Sequence, residues 1–157
     1  MTPVIAEERP DNPEASALIE ELETHLASLY PRESRHGYSV DKLLREGVAF
    51  FVVRADGVAA GCGGVQIYGT GYGELKRMYV RPAFRGRGLG KLMLDHLTGY
   101  VRQGRVGVLR LETGIYQKDA IALYETSGFQ RIPPFPPYAE DPLSLFFERR
   151  ISPDVSS

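Results

Sequence analysis

A glycine-rich turn between a strand pattern and a helix pattern constrains this chain more than any other feature. The turn is R-G-R-G-L-G at residues 85–90, and it follows the strand-like run at 75–80. Glycine lets a backbone approach a ligand closely, and a helix that opens from such a turn presents unpaired N–H groups and the positive end of its dipole. The two arginines add positive charge. The segment is therefore typical of a site that binds a phosphate or pyrophosphate.

Charge is almost balanced over the chain but uneven along it. There are 19 Lys and Arg residues against 20 Asp and Glu, which gives a net charge of −1 at pH 7. This balance gives no general reason to expect binding to nucleic acid or to an acidic membrane. Segment 76–91 holds six basic residues and no acidic one, so we expect a positive field around the turn that suits a small anion. The six are Lys76, Arg77, Arg81, Arg85, Arg87 and Lys91.

Other classes of protein and site are not favoured by the composition. One cysteine, Cys62, allows no intrachain disulfide and indicates a reducing compartment. The three histidines are scattered without metal-ligand spacing, so no metal site is expected. No run of about 18 apolar residues and no signal-peptide pattern occur, which predicts a cytoplasmic protein. The length predicts one domain over residues 1–151, followed by a flexible tail at 152–157.

Hydrophobic periodicity predicts a mixed α+β fold built on one sheet. Three strands in the first half form an antiparallel meander, because Asp56-Gly57 is a strong hairpin signal. Strands are predicted over 4–7, 49–54, 58–68, 74–80, 106–113, 129–132 and 143–149. Helices are predicted over 13–29, with Asp11 or Asn12 as cap, from Ser39 or Asp41 to about Gly47, from Leu89 to Gly104, and over 118–126.

Two nucleotide-binding motifs do not fit the glycine turn. A Walker loop needs glycine where Arg85 stands and a serine or threonine where Leu92 stands. A dinucleotide fingerprint that begins at Gly86 needs its third glycine at Lys91. Glu112 lies at a suitable distance along the chain to bind a ribose, but an antiparallel meander before the turn is the wrong context for that motif.

A third pattern fits the turn. V-R-P at 80–82 followed by R-G-R-G-L-G at 85–90 resembles the signature of the GNAT superfamily of N-acetyltransferases. A second segment, A-I-A-L-Y at 120–124 with G-F at 128–129, looks like the helix-plus-strand element of that family. The resemblance is closest over residues 74–129. It implies a central, mostly antiparallel sheet with splayed middle strands, flanked by helices.

The resemblance also implies that acetyl-CoA is the cosubstrate. The backbone N–H groups between Arg85 and Lys91 would hold its pyrophosphate. A bulge near the end of the preceding strand would aim the N–H of Met78 at the thioester carbonyl. Gln117 stands where the family often has asparagine, seven residues before Tyr124, and its amide can keep the same hydrogen bond. The implied cofactor-binding residues are Met78, Tyr79, Val80, Arg85, Gly86, Arg87, Gly88, Leu89, Gly90, Lys91 and Gln117.

Catalysis of amine acetylation needs a base and a proton donor. An alkyl amine has a pKa near 10 and attacks only when neutral, so a base must take its proton. The resemblance assigns this role to Glu74, with Glu112 as the second candidate; a surface ion pair of Glu74 with Lys76 or Arg77 is the structural alternative. Tyr124 corresponds to the family tyrosine that protonates the departing thiolate, and packing at the edge of the core is its structural alternative.

These expectations predict an enzyme that transfers acetyl from acetyl-CoA to a primary amine of a small molecule or peptide, by direct attack in a ternary complex. A non-catalytic acetyl-CoA sensor or interaction module on the same fold is the alternative. A homodimer is possible, and no nucleic acid or membrane partner is expected. By resemblance, the acceptor is chosen by loops 30–38 and 133–141, which carry Arg32, Glu33, Arg35, His36, Phe135 and Tyr138. Arginines in the first loop can hold an acceptor carboxylate and Glu33 can hold a second amine; the alternative is that Arg32, Glu33, Arg35 and His36 are simply solvated.

Overall fold

One mixed sheet with helices packed on both faces forms the described part of the protein. The computed structural model describes residues 2–69 and 71–152, so most of the predicted tail at 152–157 lies outside the described residues. The strands are β1 Pro3–Glu7, β2 Ala49–Ala55, β3 Val58–Tyr68, β4 Tyr72–Val80, β5 Val108–Gly114, β6 Gln130–Ile132 and β7 Ser144–Arg150. The helices are α1 Pro13–Ala27, α2 Val40–Arg45, α3 Leu89–Gln103 and α4 Lys118–Thr126, with short 3₁₀ turns at Arg32–Ser34 and Pro82–Phe84.

The predicted fold class is confirmed by the sheet. Its seven strands lie in the order β1-β2-β3-β4-β5-β7-β6, and every neighbouring pair is antiparallel except β4 and β5. Register between β4 and β5 extends over only two residue pairs, Gly73 with Leu109 and Glu74 with Arg110. The two strands diverge beyond Glu74, which is the splayed middle of the sheet that the resemblance implied.

Local signals in the sequence explain where the first helices begin. The Asn12 side chain accepts a hydrogen bond from the N–H of Ala15 at 2.7 Å, and Pro13 occupies the first helical turn of α1. The helix ends at Ala27, two residues earlier than the leucine periodicity suggested. Ser39 caps α2 in the same way, accepting from the N–H of Lys42 at 3.1 Å.

Alternation along β2 divides the core into two clusters. Phe51 and Val53 point to the face covered by α3 and α4, while Phe50 and Val52 point to the face covered by α1 and α2. All four side chains are buried. Because both faces of β2 are covered, the strand is apolar throughout, as its sequence indicated.

A bulge interrupts β4 close to its carboxyl end. Lys76 pairs with Gly64 and Tyr79 pairs with Cys62, so Arg77 and Met78 together face Gly63. Arg77 has a φ of 55°, a left-handed conformation that is uncommon outside glycine. A Cβ at Gly63 would lie 2.6 Å from the Met78 sulfur and 2.9 Å from the Met93 Cγ, so any larger residue opposite the bulge would displace these side chains. The bulge therefore stands where the resemblance expected it, beside the opening between β4 and β5.

Candidate active site

A cavity of about 130 Å³ lies at the opening between β4 and β5. Its walls bring together residues that are far apart in the sequence, because β4, β5 and α4 meet the loop that follows α1. The predicted site residues among them are Glu74, Met78, Glu112, Gln117 and Tyr124. The predicted acceptor loops contribute Tyr30, Arg35, His36, Tyr38 and Tyr138. Arg32 and Glu33 of the first loop are exposed and do not line this cavity.

Glu74 is a buried carboxylate held from one side. It is 1% exposed, and its Oε2 accepts hydrogen bonds from the Lys76 ammonium at 2.9 Å and from the Tyr138 hydroxyl. Its Oε1 is buried and has no hydrogen-bond partner among residues 2–69 and 71–152. The ion pair with Lys76 was foreseen as a surface contact; the structure corrects this, because the pair is buried in the wall of the cavity.

Lys76 and Tyr138 hold the Glu74 carboxylate in place. The contact with Tyr138 was not foreseen from the sequence. The Lys76 side chain is 5% exposed, and its ammonium also lies 3.9 Å from the centre of the Tyr38 ring. Burial and the nearby charge of Glu74 raise the pKa of Tyr138, so its hydroxyl stays protonated and donates. Both donors occupy Oε2, which leaves Oε1 as the atom that can accept a proton or a hydrogen bond from a ligand.

Glu112 is the second carboxyl of the cavity. It lies on β5, where the hydroxyl of Ser144 donates to its Oε2 at 2.8 Å. Burial raises the pKa of Glu112 above its ordinary value, against the lowering effects of that hydrogen bond and of His36 and Lys76. Glu74 and Glu112 therefore line one cavity but have different hydrogen-bond donors, Lys76 and Tyr138 for the first and Ser144 for the second.

Tyr124 is presented to the cavity by α4. It is 5% exposed, and its ring meets those of Phe129 and Phe147 with centroids 5.7 and 6.3 Å apart. Burial raises the pKa of Tyr124, so the hydroxyl carries its proton near neutral pH. The ring belongs to the core, as the packing alternative expected, and the residue also lines the cavity, so its catalytic role stays a prediction.

Gln117 has a partner that the sequence did not indicate. Its side-chain oxygen accepts a hydrogen bond from the hydroxyl of Tyr30, which in turn accepts from the N–H of Tyr116 at 2.9 Å. Gly114 allows this arrangement, because a Cβ there would collide with the Tyr30 ring. The residue expected to contact the cofactor thus also ties the loop after α1 to the start of α4.

The glycine turn has the open backbone that an anion needs. Gly86 and Gly88 have φ values of 78° and 77°, and a Cβ on either would meet no atom within 4 Å. Gly88 is the N-cap residue of α3 and has no side chain to cap it, so the first N–H groups of this 15-residue helix are left for another partner. These residues fit the pyrophosphate of a CoA ester. Gly90, by contrast, packs closely, since its Cβ would lie 3.3 Å from Leu123.

The remaining predicted cofactor-binding residues lie on both sides of this turn. Tyr79 and Val80 end β4 between the bulge and the turn, and the Arg85 Nε donates to the carbonyl of Val80 at 3.1 Å. Leu89 is 2% exposed, so its side chain belongs to the core and only its backbone faces the turn.

Segment 76–91 carries less uncompensated positive charge than its six basic residues suggested. Two of them are paired with carboxylates of α1, Arg77 with Glu23 and Arg81 with Glu21, and Lys76 is paired with Glu74 of its own strand. Lys91 pairs with Asp95 one helical turn later. The residues at the turn itself are Arg85 and Arg87, and the Arg87 guanidinium lies over the Phe84 ring. Counting charges along a sequence does not reveal which of them a fold pairs.

Metal-binding clusters and membrane-spanning helices are both absent from the described residues. Over residues 2–69 and 71–152, no group of three or more His, Cys, Asp or Glu side chains is placed to hold a metal ion. Within the same residues, no helix has both the length and the apolar character needed to span a membrane.

A mixed sheet splayed beside a β-bulge, with an uncapped helix following a glycine turn, defines the class of acyl-CoA-dependent acyltransferases. The model of the acetyltransferase (GNAT) family matches residues 12–129, and the chain belongs to this family. It is 43% identical over 146 residues to IAA acetyltransferase of Azospirillum brasilense, covering 92% of this chain and 95% of that protein.

Solved structures agree with the family. A Klebsiella pneumoniae protein assigned as an acyl-CoA N-acyltransferase superposes with a TM-score of 0.82 at 36% identity, covering 96% of this chain and 99% of that one. The PaiA N-acetyltransferase of Thermoplasma acidophilum, solved in complex with coenzyme A, gives a TM-score of 0.74 over 96% of this chain and 99% of its own. Its 21% identity shows the fold alone.

Proposed function

We propose that the protein transfers the acetyl group of acetyl-CoA to a primary amine of a small molecule or peptide, by direct attack in a ternary complex. The observation that carries this proposal is Glu74 Oε1, which has no partner among the described residues and belongs to a cavity whose walls also include Met78 and Tyr124. A buried carboxylate oxygen without a donor is uncommon and calls for a ligand or proton. A non-catalytic module would need neither this oxygen nor a buried tyrosine in the same cavity.

Glu74 acts in this proposal as the general base. It accepts the proton of the attacking amine at Oε1, directly or through a water, while Lys76 and Tyr138 hold Oε2. Fixing one oxygen orients the other, which is the positioning that proton transfer requires. Glu112, on the opposite strand, is the alternative base.

The donor side uses the end of β4, the glycine turn and α4. The N–H groups at the start of α3, with Arg85, Arg87 and Lys91 beside them, hold the pyrophosphate. The N–H of Met78, turned by the bulge, stabilises negative charge that develops on the thioester oxygen. Tyr124 donates its proton to the departing thiolate, whose parent thiol has a pKa of roughly 8.5. When bound, acetyl-CoA supplies the acyl group, and these residues orient it.

Replacement of Tyr124 by phenylalanine tests the catalytic proposal. We expect Tyr124→Phe to lower turnover by about 100-fold or more, the usual contribution of acid–base assistance, while CoA still binds. CoA release is followed with a thiol reagent, and CoA binding is measured by calorimetry. Tyr100→Phe on α3, outside this cavity, is the matched control and should keep full turnover. Unchanged CoA release from Tyr124→Phe would remove this residue from the mechanism.

An acceptor panel tests the reaction itself. Free amino acids, peptides, alkyl amines and polyamines are incubated with acetyl-CoA, and IAA belongs in the panel because the Azospirillum brasilense relative is named for it. Transfer to amines supports the proposal. CoA binding without transfer to any acceptor would favour the acetyl-CoA sensor instead.

A further inference from the structure

We propose that the acceptor is a free α-amino acid, bound with its amine at Glu74 and its carboxylate at Arg35. This inference rests on the proposed function and specifies the acceptor of the same cavity. It follows from two unsatisfied polar atoms, from the distribution of charge in the walls and from the small volume of the cavity that both residues line.

Two buried polar atoms of opposite hydrogen-bonding sense belong to residues of this cavity. The Oε1 of Glu74 can only accept, and the Nε of Arg35 can only donate. Within the part of the chain that the structure describes, neither atom has a hydrogen-bond partner. Buried polar groups are nearly always paired, so a ligand that brings one donor and one acceptor satisfies both.

The Arg35 side of the cavity carries an excess of positive charge. The guanidinium groups of Arg35 and Arg77 both contact one carboxylate, that of Glu23, at 3.3 and 2.8 Å. The Arg77 side chain is 4% exposed and also donates to the carbonyl of Tyr38 at 2.8 Å, so it is fixed in place. Two guanidiniums that share one carboxylate leave one positive charge for a ligand. A ligand carboxylate supplies that countercharge.

Other charged groups near the cavity keep the Arg35 side positive and the Glu74 side negative. His36 lines the same wall, but its Nε2 lies 3.6 Å from the carboxylate of Asp141. On the other side, Lys76 neutralises Glu74 through Oε2 and leaves Oε1 towards the cavity. Glu112 adds a second carboxyl beside the same lysine, so this side suits an amine.

Tyr38 shows that the two sides are close together. Its carbonyl accepts from Arg77, while its ring lies against the ammonium of Lys76 at 3.9 Å. Tyr38 therefore touches both the lysine that pairs with Glu74 and the arginine that shares Glu23 with Arg35. An α-amino acid carries its amine and carboxylate on one carbon, which suits a cavity of about 130 Å³ lined by Glu74 and Arg35. A polyamine would instead bring a second cation towards the two arginines.

Matched acceptors test the inference with the wild-type protein. Each common free amino acid is compared with its amide and its decarboxylated amine, and kcat/KM is measured by CoA release. A charge-assisted hydrogen bond to the carboxylate should make at least one amino acid better than its amide by about 10- to 100-fold. Equal values for the amino acids and their amides would overturn the inference.

A variant pair shows whether Arg35 carries this preference. Arg35→Gln should lower the ratio of kcat/KM for amino acid over amide about tenfold or more, whereas a merely structural role would lower both values and keep their ratio. Arg32→Gln, on the exposed part of the same loop, is the matched control and should keep the wild-type ratio. Transfer to peptides or polyamines but to no amino acid would refute the inference and leave the proposed function standing. Transfer to no amine would refute the proposed function itself.

Discussion

The buried pair of Glu74 and Lys76 gives a prediction that separates stability from catalysis. The two side chains are 1% and 5% exposed, and the ammonium lies 2.9 Å from the carboxylate. Glu74→Gln keeps the shape of the side chain and an acceptor for Tyr138, but leaves the lysine charge without a countercharge. Lys76→Met leaves the carboxylate in the same position with only a neutral donor.

The magnitude follows from the cost of an unpaired buried charge. Breaking a buried pair from one side typically costs about 3–5 kcal/mol. We expect each single variant to lose about 3 kcal/mol in the free energy of unfolding, because the Tyr138 hydroxyl still contacts whichever charge remains. For a chain of this size, 1 kcal/mol shifts Tm by roughly 2–4 °C, so each single variant should lose roughly 6–12 °C. The double variant, with no charge left, should lose much less than the sum, which is a coupling of about 2 kcal/mol or more.

The assay uses four proteins: wild type, the two single variants and the double variant. Chemical and thermal unfolding give the free energies, and CoA release gives turnover. We expect Glu74→Gln/Lys76→Met to regain stability but not activity, because glutamine cannot take a proton; the loss in kcat should be about 10²–10⁴. Lys91→Met, which breaks an exposed pair with Asp95, is the matched control and should cost less than about 0.5 kcal/mol.

Two results would refute this reasoning. Additive effects of the single changes, within about 0.5 kcal/mol, would show that the two charges do not stabilise one another. A stable double variant with wild-type turnover would show that Glu74 is not the base, and the role would pass to Glu112.

Two further predictions concern the glycine turn and the single thiol. Gly88→Ala should weaken CoA binding and lower the free energy of unfolding by about 1–2 kcal/mol, because a φ of 77° strains an L-residue. Gly99→Ala inside α3 should instead raise the free energy of unfolding by about 0.5–1 kcal/mol. Unfolding and CoA titration measure both variants, and equal effects on stability would contradict the explanation. Burial raises the pKa of Cys62 from 9.0 to about 12, so at pH 8 the folded protein should react with iodoacetamide about a thousandfold more slowly than the unfolded chain. Mass spectrometry follows the alkylation, and equal rates would show that the thiol is exposed.

Local chemistry made several elements predictable from the sequence. Asn12 and Ser39 are the caps that the sequence offered, and the Asp56-Gly57 hairpin has positive φ at both residues, 52° and 81°. Helix α4 occupies the predicted residues Lys118–Thr126. These signals succeed because capping and turn formation depend on neighbours within a few residues. Some ends differ: β4 begins at Tyr72 rather than Glu74, and β5 begins at Val108 rather than Val106, because strand ends depend on pairing with distant strands.

The candidate site was predictable in part for the same reason. Met78, the glycine turn and Tyr124 belong to short motifs, so their positions could be read from local spacing. Glu74 was foreseen as a base or as a surface ion pair, and neither description included Tyr138, which lies 64 residues away and donates to the same oxygen as Lys76. The carboxylates that pair with Arg77 and Arg81 come from α1, and no periodicity in segment 76–91 indicates them.

The sequence by itself determined the element order, the caps, the glycine turn and the family, because each depends on residues close together in the chain. Only the tertiary structure decided which charges are paired and which polar atoms are left for a ligand. Burial and pairing depend on segments that are distant in the sequence and meet in the fold. The loop after α1, the first half of β4 and the loop before β7 together leave Glu74 Oε1 and Arg35 Nε without partners in the described chain. Local motifs therefore indicate acetyl-CoA as the acetyl donor, whereas the proposal for the acetyl acceptor depends on long-range contacts.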